Sequence, residues 1–150
     1  MCVLVETNLT VPARATGLDA IHDSLSHFWQ AVNAEVSRPG GDQWRHDFTI
    51  AVAEIAANIV RHAYASMPEP RDMHLRLCAY ADRVEARFVD YGIAGTFPPP
   101  VEAAPEHVWQ DIPESGRGLA IARACLDELV YRRNTTNRTN EWHLEKRFPV

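Results

Sequence analysis

The sequence predicts an α/β two-layer sandwich, in which a mostly antiparallel mixed sheet has helices packed on one face. Short runs with strand character lie at the start, the middle and the end of the chain, and stretches with helical spacing separate them. With 46% hydrophobic and 23% charged residues, the composition is that of an ordinary globular protein. We therefore expect a single domain over residues 1–150.

The first half of the chain begins with a predicted strand and two predicted helices. Apolar and polar residues alternate from Cys2 to Val11, which predicts an edge or terminal strand. Apolar residues then recur at helical spacing from about Thr16 to Val36. After the helix breaker Pro39-Gly40-Gly41, Asp42 is the predicted N-cap of a second helix that ends near Ser66.

The second half is predicted to complete the sheet. Two strand-like runs, Met73 to Tyr80 and Val84 to Val89, are close enough in sequence to form an antiparallel hairpin. A long segment rich in proline and glycine follows. The pattern then predicts a helix over Gly118 to Leu126 and strands over Leu129 to Arg133 and Glu141 to Phe148.

Charge and cysteine usage exclude several classes of protein. The formal net charge of −5 argues against a general nucleic-acid binder. No secretory signal is visible, and no apolar run approaches membrane-spanning length. The three cysteines are scattered and form no CxxC pair, which favours a reducing cytoplasm over a disulfide frame or zinc site. We expect a cytoplasmic protein with neither nucleic acid nor membrane as a direct partner.

The stretch from Glu54 to Tyr64 carries polar residues on one stripe of an otherwise apolar helix. Residues three and four apart are neighbours on a helix, so the polar residues share one face: Glu54, Asn58, Arg61 and His62. These groups suit a metal–triphosphate, because a carboxamide oxygen binds a hard cation, guanidinium binds phosphate and a carboxylate orients or deprotonates a nucleophile. The alternative is an ordinary solvated helix face.

Two later segments carry further groups suited to nucleotide binding. Asp90 ends a predicted strand and is followed by Gly92 and Gly95. Its carboxylate can accept a hydrogen bond from an exocyclic amine, and the glycines let a flat ring approach the backbone; the alternative is an ordinary turn residue. Gly116-Arg117-Gly118 opens a predicted helix, whose free N-terminal amides bind anions.

The order of these three segments resembles the GHKL ATPase superfamily, to which sensor histidine kinases and gyrase-type ATPases belong. The chain is most similar to the small anti-sigma-factor serine/threonine kinases of bacterial partner-switching systems. Those proteins carry Asn-x-x-x-His-Ala-Tyr, as Asn58 to Tyr64 does, and Trp142 to Lys146 looks like their closing strand. The resemblance covers almost the whole chain and implies the Bergerat, or histidine kinase-like ATPase, fold.

The resemblance also implies a role for each residue of the first two motifs. Glu54 would be the catalytic base or orienting carboxylate for the attacking hydroxyl. Asn58 would hold Mg²⁺, and Arg61 would lie near the phosphates of ATP. Asp90 would read the adenine amino group, with Gly92 beside the base.

The third motif would close over the triphosphate, through Gly116, Arg117, Gly118 and Leu119. An ATP lid is expected over approximately residues 92–117. Within it, Ile93-Ala94 places Gly95 one position later than the family pattern does. His62 either contributes to the nucleotide site or packs between helix and sheet.

The function implied is an ATP-dependent serine/threonine protein kinase that also acts as an anti-sigma factor. It would hold a sigma factor or similar regulator and phosphorylate a serine of an anti-sigma-factor antagonist. Small kinases of this kind are often dimers, so a homodimer is expected. Three alternatives remain: a non-catalytic or nucleotide-gated module that sequesters a transcription regulator, a histidine-kinase catalytic module, and a small ATP-hydrolysing switch.

Overall fold

The computed structural model of the protein describes residues 1–64, 71–94 and 114–150. The elements follow in the order β1 (Val5–Pro12), α1 (Ala15–Glu35), α2 (Asp42–Asn58), a π-helical turn (Ile59–Ala63), β2 (Asp72–Ala79), β3 (Arg83–Asp90), α3 (Glu114–Cys125), β4 (Glu128–Asn134) and β5 (Thr139–Arg147). The five strands form one open sheet in the order β1-β2-β3-β5-β4, with helices packed against it. The predicted two-layer α/β architecture is confirmed.

All four strand pairs among the described residues are antiparallel, whereas a mostly antiparallel sheet with some parallel pairing was predicted. β2 and β3, and likewise β4 and β5, are consecutive in the chain and adjacent in the sheet, whereas β5 lies between β3 and β4, so β3 and β4 run in the same direction without pairing. β1 is an edge strand, as expected, but it begins at Val5 and not at Cys2, because its pairing with β2 starts there. β3 is the central strand, and its last residue, Asp90, lies opposite Met73 of β2 and Asn140 of β5.

The hydrophobic core lies between the sheet and the helices. α1 buries one stripe of residues at the spacing of successive helical turns: Gly17, Ile21, Leu25, Phe28 and Val32. The central strands bury alternate side chains beneath the helices, including Leu75, Leu77, Ala86 and Phe88. Burying each large apolar side chain contributes about 1.5–3 kcal/mol relative to leaving it exposed. No helix in the described ranges combines the length and apolar character that a membrane crossing needs.

The second helix differs from its prediction at both ends. Its N-cap is Gly41, which has an extended backbone (φ −71°, ψ 177°), so the predicted N-cap, Asp42, lies in the first turn. The carboxylate there still favours the positive end of the helix. The α-helix ends at Asn58, where a π-helical turn follows, and Tyr64 leaves helical geometry (φ −115°, ψ 15°); the predicted end near Ser66 lies outside the described residues.

The third helix begins at Glu114, four residues before the predicted start, and ends at Cys125. The predicted opening motif, Gly116-Arg117-Gly118, therefore lies inside the helix. At the other end, Lys146 Nζ donates a hydrogen bond to the Cys125 carbonyl oxygen at 2.7 Å and places a cation at the negative end of the helix.

The face of the sheet away from the helices carries a charged cluster. Glu85 and Glu145 lie opposite each other on β3 and β5. Arg83 Nε lies 3.0 Å from Glu85 Oε1 and 3.1 Å from Glu145 Oε1. Because like charges directly across a strand pair are destabilising, this guanidinium offsets a repulsion that the register creates.

We expect Gly17→Ala to lower the free energy of unfolding by about 1–3 kcal/mol, the usual cost of overpacking. A Cβ at this position would overlap the carbonyl oxygen of Pro12, which is backbone and cannot rotate away. Urea unfolding would measure the loss. The matched control is Gly41→Ala, where no atom lies within 4 Å of the added Cβ. Equal stability of the two variants would show that the contact between α1 and β1 is not tight.

Candidate functional site

The second helix carries the first two site residues toward the sheet end where β3 terminates. Asn58 is only 2% exposed, and its Nδ2 has no hydrogen-bond partner within the described part of the chain. Glu54, one turn earlier, is half-buried. Because Asn58 is buried, it does not belong to an ordinary solvated helix face. Leaving its Nδ2 without a partner costs the fold about 1–3 kcal/mol.

Glu54 lies directly against α3. A Cβ on Gly118 would collide with Glu54 Oε2 and would lie 3.7 Å from Arg61 Nη2. The absence of a side chain at Gly118 therefore lets the α3 backbone approach both charged groups. A carboxylate, a guanidinium and a helix backbone converge at this point, which is an arrangement suited to a charged ligand.

Arg61 and His62 lie in the π-helical turn and not in a regular α-helix. Arg61 is exposed and His62 is half-buried. The π turn contains more residues per turn than an α-helix, so the spacing used to place these two residues with Glu54 and Asn58 does not hold after Asn58. Single π turns inside helices occur frequently at functional sites.

The end of the π turn is joined to the end of β3. The Ala63 carbonyl oxygen accepts a hydrogen bond from the Ile93 amide at 2.8 Å. The Tyr64 hydroxyl donates to the Asp72 carbonyl oxygen at 2.9 Å and accepts from the Tyr91 amide at 3.0 Å. Burial raises the pKa of Tyr64, so this hydroxyl keeps its proton.

Gly92 lies inside the same junction. A Cβ on Gly92 would collide with the carbonyl group of Ala63, so the helix contact requires glycine here. The proposed contact between Gly92 and a nucleotide base stays a prediction. The close contact with Ala63 is a second reason why glycine is needed at this position.

Asp90 is the buried acid of the site, with 1% of its surface exposed. Its Oδ1 accepts hydrogen bonds from the Gly92 amide at 2.9 Å and from Asn140 Nδ2 at 2.8 Å. Its Oδ2 is buried and has no partner among the residues that the structure describes. Burial raises the pKa of Asp90, and the bonds from Asn140 and Gly92 and the charge of Arg133 oppose that rise.

The sequence interpretation missed the residues of β4 and β5 that surround Asp90. Thr139 and Asn140 are buried, and Thr139 Oγ1 has no partner within residues 1–64, 71–94 and 114–150. A signal for Asn140 was present, since it alternates with Trp142 and Leu144 on the inward side of β5. A carboxamide on an apolar stripe needs a buried polar partner, and here that partner is Asp90.

The remaining predicted residues fall in two groups. Gly116, Arg117, Gly118 and Leu119 all lie on α3, where Arg117 is exposed and Leu119 is half-buried. Gly95 and residues 95–113 of the predicted lid lie outside the described residues. The described residues thus form two neighbouring parts, one around Glu54 and Gly118 and one around Asp90, which the Ala63–Ile93 hydrogen bond connects.

Asp90→Asn should leave the protein as stable as the wild type or more stable at pH 7. A carboxyl group whose pKa is raised by folding contributes stability that is present below its unfolded pKa, about 3.9, and is lost as pH rises through the folded pKa. Asparagine keeps an oxygen for the two donors and carries no buried charge. The variant's advantage in urea unfolding should therefore grow from about pH 4 upward and then level off, whereas a pH-independent difference would contradict this account.

Comparisons with known proteins identify the family to which the chain belongs. A family model of the histidine kinase-like ATPase domain matches residues 15–142. Serine-protein kinase RsbW of Bacillus licheniformis is 29% identical over 87 residues, which cover 55% of this chain and 54% of that protein. The chain thus spans about half the length of this curated relative.

A solved structure supports the same fold. The crystal structure of the RsbU and RsbW domains of Rv1364c from Mycobacterium tuberculosis matches with a TM-score of 0.63 at 15% identity. The match covers 95% of this chain and 32% of that one. The family model extends from the start of α1 into β5 and includes Glu54, Asn58 and Asp90. This chain therefore belongs to the histidine kinase-like ATPase domain family.

Proposed function

We propose that the protein is an ATP-dependent serine/threonine protein kinase that also acts as an anti-sigma factor. Membership of the ATPase family supports nucleotide use. Similarity to a protein described as a serine-protein kinase supports serine as the acceptor. A sigma factor or similar regulator is the proposed client, and a serine of an anti-sigma-factor antagonist is the proposed substrate.

One observation carries the proposal. Glu54 lies against the backbone of α3 at Gly118, next to the buried Asn58 one turn later. The helix bearing both residues is bonded, through Ala63, to the loop that follows Asp90. A potential catalytic carboxylate and a potential base-reading carboxylate are thereby held in one connected site.

The residues present fit ATP and Mg²⁺. Oxygen atoms, including carboxamide oxygens, are the ligands that Mg²⁺ prefers, and Asn58 offers one. The free, buried Oδ2 of Asp90 can accept a hydrogen bond from the adenine amino group.

The chain's own residues would act mainly by positioning and by charge. Bound Mg²⁺–ATP supplies the phosphoryl group and the cation that neutralises it. Glu54 orients the serine hydroxyl of the substrate and accepts its proton. Arg61 offers a guanidinium beside Glu54, and the backbone of α3 approaches at Gly118. The predicted lid over 92–117 would exclude water, and this assignment stays a prediction.

Partner switching would follow if sigma factor and antagonist bind mutually exclusively. The kinase would hold the sigma factor until the unphosphorylated antagonist displaces it, and phosphorylation of the antagonist would restore the first complex. A homodimer and a cytoplasmic location are part of this proposal. The alternative, a nucleotide-gated binding module, keeps the sequestration and lacks the phosphoryl transfer.

We expect Asp90→Asn to weaken ADP binding by more than tenfold. The change replaces an acceptor oxygen, Oδ2, with a donor, and a hydrogen bond involving a charged group contributes about 1.5–3 kcal/mol. Calorimetry with ADP and Mg²⁺ would measure the loss on a variant whose folding is retained. Absence of ADP or ATP binding to the wild type at millimolar concentration would refute nucleotide binding altogether.

Variants of Glu54 and Asn58 should lose different activities. Glu54→Gln should retain nucleotide binding while phosphoryl transfer to the antagonist falls by ~10²–10⁴, the usual contribution of a general base. Asn58→Ala should weaken Mg²⁺-dependent nucleotide binding itself, because a cation ligand is lost. Calorimetry would measure binding, and phosphoserine formation on the antagonist would measure transfer.

Matched controls exist on α1. Glu35→Gln and Asn33→Ala make the same chemical changes at exposed positions and should leave both measurements unchanged. If Glu54→Gln transfers phosphate as fast as the wild type, the catalytic assignment is wrong. If the wild type binds nucleotide and sigma factor without phosphorylating the antagonist, the binding-module alternative replaces the kinase.

A further inference from the structure

We propose that Asn140 is a positioning residue that determines base selectivity, because it holds Asp90 so that a single carboxylate oxygen, Oδ2, is left to accept from a ligand amino group. This inference rests on the proposed nucleotide binding. It adds a residue of β5 and two supporting residues of β4, Tyr131 and Arg133, which both donate hydrogen bonds to Asn140.

Asn140 is 3% exposed, and its carboxamide is fully hydrogen-bonded. Nδ2 donates to Asp90 Oδ1 and to the Ile93 carbonyl oxygen, each at 2.8 Å. Oδ1 accepts from the Tyr131 hydroxyl and from Arg133 Nη1, the latter at 3.1 Å. The Ile93 carbonyl on one side accepts only and Arg133 on the other donates only, which fixes the nitrogen end of the carboxamide. A flip would lose the bonds to Asp90, Ile93 and Arg133, and only the Tyr131 hydroxyl could reverse its role.

The consequence for Asp90 is a carboxylate with two different oxygens. Oδ1 is committed to Asn140 and to the Gly92 amide. Rotation of the carboxylate would break both bonds, so Oδ2 remains the oxygen without a partner in the described part of the chain. A donor group of the ligand would then bind an acceptor whose position is already fixed. The entropy cost of ordering the Asp90 carboxylate is part of folding and does not reduce the affinity.

Arg133 fixes the loop as well as the carboxamide. Its Nη1 donates to the Gly92 carbonyl oxygen at 2.9 Å, in addition to its bond with Asn140. The strand register explains this convergence, because Asn140 lies opposite Asp90 on one side and opposite Arg133 on the other. Three neighbouring strands thus contribute to a single network, with Asp90 from β3, Asn140 from β5, and Tyr131 and Arg133 from β4.

Such a network makes the site selective for a donor at position 6 of a purine. ADP presents an amino group there, whereas IDP presents a carbonyl oxygen at that position and carries a proton on the neighbouring N1. A fixed, acceptor-only oxygen favours the first and repels the second, and a site built for a hydrogen-bond donor discriminates strongly against an analogue without it. The ratio of the two dissociation constants therefore measures the orientation of Asp90, and general weakening of the fold leaves that ratio unchanged.

The test is calorimetric titration of the full chain with ADP and with IDP, each with Mg²⁺. The wild type should bind ADP at least about tenfold more tightly than IDP. Asn140→Ala should reduce that preference to below about threefold. Arg133→Met should reduce it partially, since Asn140 and Gly92 each lose one bond but Asp90 keeps its own. The matched control is Arg132→Met, which removes the adjacent exposed guanidinium and should leave the preference unchanged.

The possible results separate this inference from the proposed function. An unchanged preference for ADP in both Asn140→Ala and Arg133→Met would overturn the positioning role and leave nucleotide binding intact. Equal binding of ADP and IDP by the wild type would overturn it too, because Asp90 would not be reading the amino group. If Asn140→Ala does not fold, the comparison of Arg133→Met with Arg132→Met decides. No binding of either nucleotide would refute the proposed function itself.

Discussion

The hydrogen bond between the Ala63 carbonyl oxygen and the Ile93 amide joins the two halves of the site. Glu54 and Asn58 belong to α2, whereas Asp90 ends the central strand, and these elements are far apart in the chain. The bond forms only because Gly92 has no side chain in the space next to Ala63. Without this close approach, the helix and the strand would each carry polar groups with no fixed relation to one another.

Tyr64 reinforces this junction from the buried side. Its hydroxyl contacts the start of β2 at Asp72 and the residue after β3 at Tyr91, so one side chain spans the end of the helix and two strands. The α-helix converts to a π turn just before this anchor. A π turn brings an additional residue into the turn, and the anchored tyrosine accounts for a helix that ends in altered geometry instead of continuing. The geometry of Arg61 is therefore coupled to the packing of Tyr64.

Sequence periodicity predicted the layers and the strand pairing well, because burial on one face imposes spacings that are visible in the chain. The buried stripe of α1 and the hairpin of β2 and β3 follow directly from that rule. Asp42 and Gly118 were placed wrongly because a helix start depends on backbone geometry, and several residue types suit each position. The π turn was missed since no residue pattern marks it. Asn140 could be recognised in the sequence as a polar residue on an apolar stripe. Its partners could not, because they lie on or next to two other strands and are identified only by the strand register.

The distribution of unsatisfied polar atoms connects stability to function. Within the described residues, the buried side-chain atoms without a partner are Asn58 Nδ2, Asp90 Oδ2, Thr139 Oγ1 and His143 Nδ1. The first belongs to the helical part of the site, and the next two lie at the adjoining ends of β3 and β5. Each such atom costs the fold about 1–3 kcal/mol, and native proteins rarely retain several together without a use for them. A ligand that satisfies Asn58 Nδ2 and Asp90 Oδ2 regains that energy on binding, so the groups that weaken the free protein would strengthen the complex.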